Sequence, residues 1–453
     1  MNRRDFLSYS ASALAAASVA ARPRRVVAQT RASLQLALTG DVILSRRVSQ
    51  LTDPRFLAVA ELLRGADCTF GNCELVMADR DEGRPSAAGA SLSVVVDPMV
   101  ADEMRWLGYD VMGTANNHSL DYGRGGVLAT LAHLDRAGIV GAGTGANLQE
   151  AAAPQYADTV GGRVALIGCA STIAPHAPAV LERGDYPGVA GLNPMRRVVK
   201  WQLPKALYDG VQAAADALKP VQTSGALFTP PPGLTFMGAS FVEGTTPDLL
   251  SDPHPADLTR ITDAVAVARR NARLVLVSIH AHELYKELTD PDPFLPKLAH
   301  AAIDAGADVF ITHGSHYLAG MEIYKGKPIF YGLGDFFFQY ETVPGFAADV
   351  YQAYGLDPHA LDGSEATEKI PLAGGRRLWE TVVPVLSYDG TRLTGITLHP
   401  VTLGMDLPRH ERGTPITASA ADAERIITEL GDLSKRYGAT VRWNGTSGDL
   451  VIL

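Results

Sequence analysis

Short apolar runs alternate with segments of helical spacing along most of this 453-residue chain, and this alternation restricts the fold more than any other feature. The runs are short enough for strands, and several lead into glycine and a polar residue. Alternating strands and helices build layered sheets, so we expect an α/β (α+β layered) fold, a sandwich or mixed sheets flanked by helices. The main runs cover residues 34–39, 68–70, 111–113, 273–279 and 309–311.

The segments between the runs predict helices, and glycine-containing steps predict hairpins. Residues 174–255 are rich in proline and glycine, and we interpret them as an insertion in a main domain covering 32–345, with one helix near 199–218. Residues 346–453 are expected to pack on that domain as an extension with a hairpin and a helix. The predicted helices cover 55–64, 98–107, 125–137, 256–270, 294–305 and 418–436, and the predicted hairpins turn at Gly161-Gly162, at Lys325-Gly326-Lys327 and within 382–401.

The N-terminal segment 1–28 has the character of an export signal. Arg3 and Arg4 precede a mildly apolar stretch over 7–21, and the segment ends in small residues. A basic start before such a core is typical of a signal peptide, and the arginine pair predicts twin-arginine export to the periplasm or cell envelope. The alternative for this segment is a buried amphipathic helix.

Charge and cysteine content exclude some classes of protein. The chain has a formal net charge of −9, which becomes −13 without segment 1–28 and its five Arg and one Asp. Nonspecific nucleic-acid binding requires cationic faces that displace counterions, so no nucleic-acid partner is expected. Cys68, Cys73 and Cys169 are too few for a disulfide framework, and we interpret them as small buried residues.

Polar side chains that suit metal ions follow the apolar runs. The run 309–311 leads into two histidines with a glycine between them, and the other runs lead into Asp, Asn, Glu or His. Loops after strands gather on one side of a layered sheet, so we expect these groups to converge. Carboxylate, amide and imidazole groups without thiolates suit Zn, Mn or Fe. The candidates are Asp41, Asn72, Glu74, Asn116, Asn117, His118, His280, His282, His313 and His316.

Each candidate also has an ordinary structural interpretation. Asp41 can cap a turn, Asp121 can cap the following helix, and the paired asparagines can hold left-handed backbone positions. His280 and His282 point the same way if the strand continues, whereas His282 faces solvent if the strand ends at His280. The convergence of five segments, more than any single residue, favours a metal site.

Five segments resemble the successive motifs of the bacterial CapA family, the poly-γ-glutamate capsule-biosynthesis proteins. The resemblance implies a domain similar to the calcineurin-like metallophosphoesterases, a β-sandwich of mixed sheets flanked by helices. It covers about residues 34–340, interrupted by 174–255. Two segments depart from the common pattern, Ala281-His282-Glu283 after His280 and Gly314-Ser315 between the last two histidines. The motifs are LALTGDVILSRR, FGNCEL, GTANNHSLDYG, VSIHAHE and GADVFITHGSHYLAGMEIYKGKPIFYGLGDFFF.

The resemblance implies roles for individual residues. Asp41 would hold the first metal with a histidine of the last motif. Asn117 would bind the second metal, with His280 beside it. His118 would act as general acid rather than as a ligand, steadied by Asp121. The implied metal ligands are Asp41, Glu74, Asn117, His280, His313 and His316, with Asn72, Asn116, His282 and Glu283 as additional candidates.

The residue that bridges two metals in phosphoesterases has no direct counterpart here. Asn72 stands nearest to its place and is neutral, so either Glu74 replaces it or only one ion binds tightly. One or two divalent ions are therefore expected, with Mn, Zn, Fe or Mg as candidates.

The resemblance supports two functions. One is an exported metal-dependent hydrolase of poly-γ-glutamate or capsule-type polymer biosynthesis, cleaving a phosphoester or γ-glutamyl bond with a metal-activated water. The other is a non-catalytic, metal-containing component of polymer assembly, export or binding. The expected partners are an anionic substrate or polymer, such as polyglutamate, and membrane-bound polymer-synthesis machinery.

Overall fold

The structure is a computed structural model that describes residues 33–86, 92–218, 233–343, 346–370 and 375–452, so the proposed export signal lies outside the described residues. The strands are β1 (Ser33–Ile43), β2 (Cys68–Cys73), β3 (Val76–Met77), β4 (Val95–Val96), β5 (Val111–Gly113), β6 (Val140–Ala142), β7 (Thr144–Gly145), β8 (Gln155–Thr159), β9 (Gly162–Ala170), β10 (Gly191–Leu192), β11 (Arg197–Pro204), β12 (Leu234–Phe236), β13 (Ala239–Gly244), β14 (Asp248–Pro253), β15 (Leu274–His280), β16 (Val309–His313), β17 (Met321–Tyr324), β18 (Lys327–Phe330), β19 (Asp335–Phe338), β20 (Glu380–Asp389), β21 (Arg392–Thr402), β22 (Ile416–Thr417), β23 (Val441–Trp443) and β24 (Gly448–Leu450). The helices are α1 (Pro54–Gly65), α2 (Val100–Leu107), α3 (Gly123–Ala137), α4 (Leu148–Ala152), α5 (Lys205–Leu218), α6 (Pro255–Arg269), α7 (Phe294–Ala305), α8 (Ala348–Ala353), α9 (Gly363–Lys369) and α10 (Ala420–Ser434), and the 3-10 turns are Tyr340–Thr342, Gly375–Trp379 and Lys435–Tyr437.

The larger sheet has the strand order β23-β24-β21-β20-β1-β2-β5-β6, with β19 paired to β1 and β22 paired to β21. Strand β1 is central. It pairs in parallel with β2 on one side, and on the other side first with β20 in antiparallel and then with β19 in parallel. The predicted hairpin within 382–401 is confirmed as β20 and β21.

The smaller sheet has the order β17-β18-β16-β15-β9-β8. Strands β9, β15, β16 and β18 are parallel, and β8 and β17 pair antiparallel at the two edges. The predicted hairpins at Gly161-Gly162 and Lys325-Gly326-Lys327 are both confirmed. Lys325 and Gly326 have φ of 51° and 74°, as a two-residue turn with both positions left-handed requires.

Alternating side chains pack the two sheets against each other and against helices. Along β15, Leu274 and Leu276 join the core between the sheets, whereas Val275 and Val277 join the core under α6 and α7. Helices α1 and α2 cover the opposite face of the larger sheet. The order helix, sheet, sheet, helix confirms the layered α/β fold.

Strands β11, β12, β13 and β14 form a third sheet of order β12-β13-β11-β14, with α5 against it. The helix predicted near 199–218 begins only at Lys205, because residues 197–204 form β11 and pair with β13 and β14. The buried carboxylate of Asp257 accepts hydrogen bonds from Arg196 and Arg260, which ties this region to α6.

Several other sequence predictions are settled by the structure. The helices predicted over 55–64, 125–137 and 294–305 are confirmed within two residues. The first strand was predicted to end before Gly40 but continues to Ile43, because β19 supplies a pairing partner there. The three cysteines are buried and free, as predicted. Among the described residues, each helix is too short or too polar to cross a bilayer.

Candidate metal centre

The inward positions of the strands change from apolar to polar at one edge of the sandwich. Along β15, the inward positions after Leu276 are Ser278 and His280, and along β16 the inward position after Ile311 is His313. His280 and His313 lie opposite each other in the parallel pairing. The two-residue period of a strand therefore carries both imidazoles to the end of the core.

Asp41 reaches the same edge from the larger sheet. The register of β1 with β2 shifts between Leu38 and Asp41, and Asp41 then lies opposite Asn72 on one side and Asp335 on the other. Its Oδ1 accepts a hydrogen bond from Nδ2 of Asn72 at 2.7 Å, and its Oδ2 accepts one from the backbone N–H of Gly314 at 2.8 Å. The carboxylate is thus fixed between the two sheets.

Gly314 permits the sharp turn after β16. Its φ is 99°, and a Cβ at this position would lie 2.9 Å from the His280 ring. His316 follows with φ of 62°, in the left-handed region that histidine seldom adopts, and its Nδ1 lies 2.8 Å from Oδ1 of Asp335. The glycine therefore lets both histidines of this turn reach the same region.

Two sets of ligand atoms lie side by side at this edge. In each set, one nitrogen or oxygen from each residue lies within 4.8 Å of the others. Asp335 forms a further group of the same spacing with members of both sets. Mixed imidazole and carboxylate groups of this kind suit divalent transition metals. Set A consists of Asp41, His280 and His313, and set B consists of Glu74, His282 and His316.

Several oxygen atoms of the site are buried without a hydrogen-bond partner in the described part of the chain. They are both carboxylate oxygens of Glu74, Oδ2 of Asp335 and the amide oxygen of Asn117. Leaving such an atom buried and unsatisfied costs about 1–3 kcal/mol. Coordination to a cation would offset that cost, so the donor atoms present fit a divalent metal.

The environment keeps three of the imidazoles neutral. Burial, with the neighbouring histidines, lowers the pKa of His280 well below its usual value, and the same causes lower the pKa of His282 to about 3. Burial lowers the pKa of His313 to about 4, although Asp41 opposes the shift. Neutral imidazole is the form that binds a metal, so these side chains are ready to act as ligands.

The carboxylates of the site crowd one another. Burial raises the pKa of Glu74 well above its usual value, and the charges of Asp41 and Asp335 add to the effect. Burial also raises the pKa of Asp335 to about 6, although His316 opposes it. Burial lowers the pKa of His316, but Asp335 and Asp41 outweigh it and bring that pKa to about 9. A cation among these oxygens would relieve their repulsion.

His118 stands beside set B with one ring nitrogen fixed. Its Nδ1 lies 2.7 Å from Oδ2 of Asp121, which also accepts a hydrogen bond from the backbone N–H of Val94 at 2.6 Å. A carboxylate only accepts, so Nδ1 carries the proton. The other nitrogen, Nε2, lies 3.0 Å from the hydroxyl of Tyr340 and 3.9 Å from Oε1 of Glu74. This arrangement suits proton transfer at the edge of the metal site.

Comparison with known proteins places the chain in a family. The family model described as bacterial capsule synthesis protein PGA_cap matches residues 35–340. The chain belongs to this family. An uncharacterized protein of Sinorhizobium fredii, y4sH, is 32% identical over 428 residues, which cover 90% of each chain. Both ligand sets, His118 and Asp121 lie within the part of this PGA_cap member that the family model matches.

Two PGA_cap-like relatives carry descriptive names. The capsule biosynthesis protein CapA of Bacillus anthracis is 26% identical over 310 residues, 67% of this chain and 60% of that protein. A probable polyglutamine synthesis accessory protein of Mycobacterium tuberculosis is 28% identical over 237 residues, 52% of this chain and 47% of that protein.

One sequence expectation about this PGA_cap member is wrong. His282 was expected to face solvent if the strand ended at His280, and β15 does end there. The loop nevertheless turns His282 back, so that its Nε2 lies 2.9 Å from Nε2 of His280 and its ring centre lies 5.1 Å from that of His316.

Two further candidates have other partners. The amide nitrogen of Asn116 donates to the carbonyl of Cys73 at 2.8 Å, which holds the loop that carries Asn117. Glu283 accepts hydrogen bonds from the hydroxyls of Ser171 and Thr172 and belongs to neither ligand set. Glu283 is therefore not placed as a ligand by the structure.

Two residues of the site were missed in the sequence. Asp335 follows Gly334 just as Asp41 follows Gly40, and a Cβ on Gly40 would lie 1.8 Å from the carbonyl oxygen of Gly334. The repeated Gly-Asp step before an apolar run was the signal that could have found Asp335. Tyr340 lies in a short 3-10 turn beyond β19, and the sequence holds no comparable signal for it.

Proposed function

We propose that this protein is an exported metal-dependent hydrolase of poly-γ-glutamate or capsule-type polymer biosynthesis. The names of its relatives support the process, and the structure of the site supports the chemistry. The observation that carries the proposal is the pair of ligand sets A and B, with six different residues, beside a histidine held for proton transfer.

Two ions fit the site better than one. Sets A and B share no residue, and Glu74 also lies in a group with Asp41, His316 and Asp335, so it would supply the negative charge between two ions that the neutral Asn72 cannot supply. Asn72 instead donates to Asp41 and orients that carboxylate. Asp335 has one oxygen on His316 and one without a partner, so it can serve either ion.

The reaction would use both the ions and the protein side chains. A bound divalent cation lowers the pKa of a coordinated water and stabilises negative charge that develops on a substrate oxygen. His118 has Nδ1 on Asp121 and Nε2 toward Glu74, so its imidazolium form would pass the Nε2 proton to a leaving oxygen at set B and remain as the neutral ring with its proton on Nδ1. Tyr340 lies at the same nitrogen and orients the ring.

The substrate class we propose is a phosphoester or a γ-glutamyl bond in an anionic molecule. A net charge of −13 without segment 1–28 disfavours a long cationic track for a polyanion. Cleavage at one bond held by the metal centre therefore fits better than binding along an extended polymer. In this process, the protein partner we propose is the membrane-bound machinery that synthesises the polymer.

Metal analysis and turnover test the proposal together. The protein without segment 1–28 should retain Mn or Zn, and bis-p-nitrophenyl phosphate or poly-γ-glutamate should be cleaved. His118→Ala should lower kcat about 10²- to 10⁴-fold with unchanged metal content. His300→Ala is the matched control, because His300 pairs with Glu322 away from the site. Bound metal without turnover of either substrate would instead support a non-catalytic assembly component.

Export is tested separately. Replacing Arg3 and Arg4 by lysine keeps the charge of segment 1–28 but removes the arginine pair. The variant should stay in the cytoplasm, whereas the native chain should reach the cell envelope. Equal export of both would contradict the twin-arginine assignment and leave the chemistry of the site untouched.

A further inference from the structure

His282 is held in the site by something other than sheet pairing. Strand β15 ends at His280, so no ladder hydrogen bond extends to His282. Its imidazole nevertheless lies against the rings of His280 and His316, with centroid distances of 4.8 and 5.1 Å. A ligand beyond the end of a strand needs another constraint to keep its geometry.

That constraint is a hydroxyl from the loop after β9. The backbone N–H of His282 donates to Oγ1 of Thr172 at 2.7 Å, and the Thr172 hydroxyl donates to Oε2 of Glu283 at 2.9 Å. Ser171 donates to the same oxygen at 2.6 Å, and its backbone N–H donates to the carbonyl of His280 at 2.9 Å. The two loops are thus joined on both sides of His282.

The hydrogen bonds fix the direction of the Thr172 hydroxyl. Its oxygen accepts from the backbone N–H of His282, and its proton is donated to Glu283. A side chain without a hydroxyl at position 172 therefore loses both hydrogen bonds. Glu283 is also held from the side of β11, where Nε of Arg197 lies 3.9 Å from Oε1. With its oxygens used in this way, Glu283 acts on the loop and not as a metal ligand.

We propose that Thr172 and Glu283 are positioning residues that set the metal affinity of set B through His282 and leave set A unchanged. The inference rests on the proposed metal centre. It assigns a role to Glu283, which the sequence offered as a ligand, and to Thr172, which no motif of the sequence singled out.

The experiment is a titration of the metal-free protein with Mn²⁺ by isothermal calorimetry, with bound metal counted after dialysis. The native protein should bind two ions. Thr172→Val, which keeps the shape and removes the hydroxyl, should weaken one of them about 10- to 100-fold and leave the other unchanged. Glu283→Gln should weaken the same ion, and Thr172→Ser, which restores the hydroxyl, should bind both ions within a few-fold of the native protein.

A double substitution separates positioning from general damage to the fold. In a His282→Ala background, Thr172→Val should cause no further loss of affinity, because its effect passes through His282. Equal weakening of both ions, unchanged binding in Thr172→Val and Glu283→Gln, or a further loss in the His282→Ala background would overturn the inference while the metal centre stands. A native protein that binds neither Mn²⁺ nor Zn²⁺ would overturn the proposed function together with this inference.

Discussion

Buried carboxylates in this protein have two kinds of neighbour. In the first kind, the buried carboxylate forms an ion pair with an Arg or Lys side chain. Asp308, between the ends of α7 and β16, lies 2.5 Å from Nη1 of Arg269 and 2.5 Å from Nζ of Lys327. We refer to four of these acids as the paired acids, namely Asp257, Asp292, Asp308 and Glu380.

The second kind is found at the candidate metal centre. Its carboxylates contact imidazoles, an amide and a backbone N–H, and no Arg or Lys of the described chain forms an ion pair with them. We refer to this group as the site acids, and it consists of Asp41, Glu74 and Asp335.

The difference distinguishes buried carboxylates that stabilise the fold from those that are available to bind a metal. A buried acid with a fixed cationic side chain is already neutralised, and removing one partner leaves the other uncompensated. The site acids have one cationic neighbour, His316, whose pKa Asp335 and Asp41 bring to about 9, and otherwise only neutral donors and one another. A bound cation would supply the remaining compensating charge. Substituting a paired acid should therefore lower the free energy of unfolding with or without metal. Substituting a site acid should lower it mainly when metal is bound.

The largest expected effect is on the paired side. Asp308→Ala should lower the free energy of unfolding by about 3 kcal/mol, because Arg269 and Lys327 lose their common partner. Urea unfolding in EDTA measures the change. Asp304→Ala is the control, since its pair with Lys325 is exposed and solvent screens it, so this variant should change the free energy of unfolding far less than Asp308→Ala does. Similar losses for the two variants would break the comparison.

Metal should stabilise the protein through the site acids. Mn²⁺ at about 100 times its dissociation constant should raise the free energy of unfolding by about 2.7 kcal/mol, and EDTA should reverse the gain. His280→Ala, which removes a ligand of set A, should lose part of the gain. Asp308→Ala should keep all of it despite its lower stability. If His280→Ala keeps the full Mn²⁺-dependent gain in the free energy of unfolding at every metal concentration, set A does not bind the metal.

Lowering the pH should remove the contribution of one paired acid, Asp257, to the free energy of unfolding. Burial raises the pKa of Asp257, but hydrogen bonds from Arg196 and Arg260 outweigh it and lower that pKa to about 2. The folded pKa lies below the unfolded value of about 3.9, so the contribution is complete above about pH 4 and is lost as pH falls toward 2. Asp257→Asn should cost about 2 kcal/mol at pH 6, and the difference from the native protein should shrink at pH 3. A difference that stays constant between these pH values would contradict the shift.

The smallest expected effect is on a site acid without metal. Burial and the charges of Asp41 and Asp335 already disfavour the charged form of Glu74, so Glu74→Gln should change stability in EDTA by less than about 1 kcal/mol. The same variant should lose the Mn²⁺-dependent gain contributed by set B. Thermal unfolding with and without Mn²⁺ measures both. A loss of several kcal/mol in EDTA would place Glu74 among the paired acids.

The strands that carry the site were predictable, and so were most of their polar ends. The apolar runs that end at His280 and His313 have the local pattern of buried strands, and the polar groups that follow them were expected at one edge of a layered sheet. The structure brings Asp41, His280 and His313 within reach of one another, as that expectation required. Local alternation was sufficient because it fixes which face each side chain takes.

The side chains that depend on loops were less predictable. His282 returns to the site because Thr172, 110 positions earlier in the chain, accepts its backbone N–H. Glu283, adjacent in sequence, turns away to the same threonine. No local pattern distinguishes these two neighbours, since the choice is made by a hydroxyl on another loop.

The sequence alone determined the layered fold, the two-residue period that turns Asn72, His280 and His313 inward, and the histidine and carboxylate chemistry of the site. Only the tertiary structure decided how those residues divide into sets A and B, and that Asp335 joins them. The contact between Asp41 and Gly314 joins residues 273 positions apart. Side-chain direction is a local property of the backbone, whereas such contacts depend on which strands pair and where their register shifts.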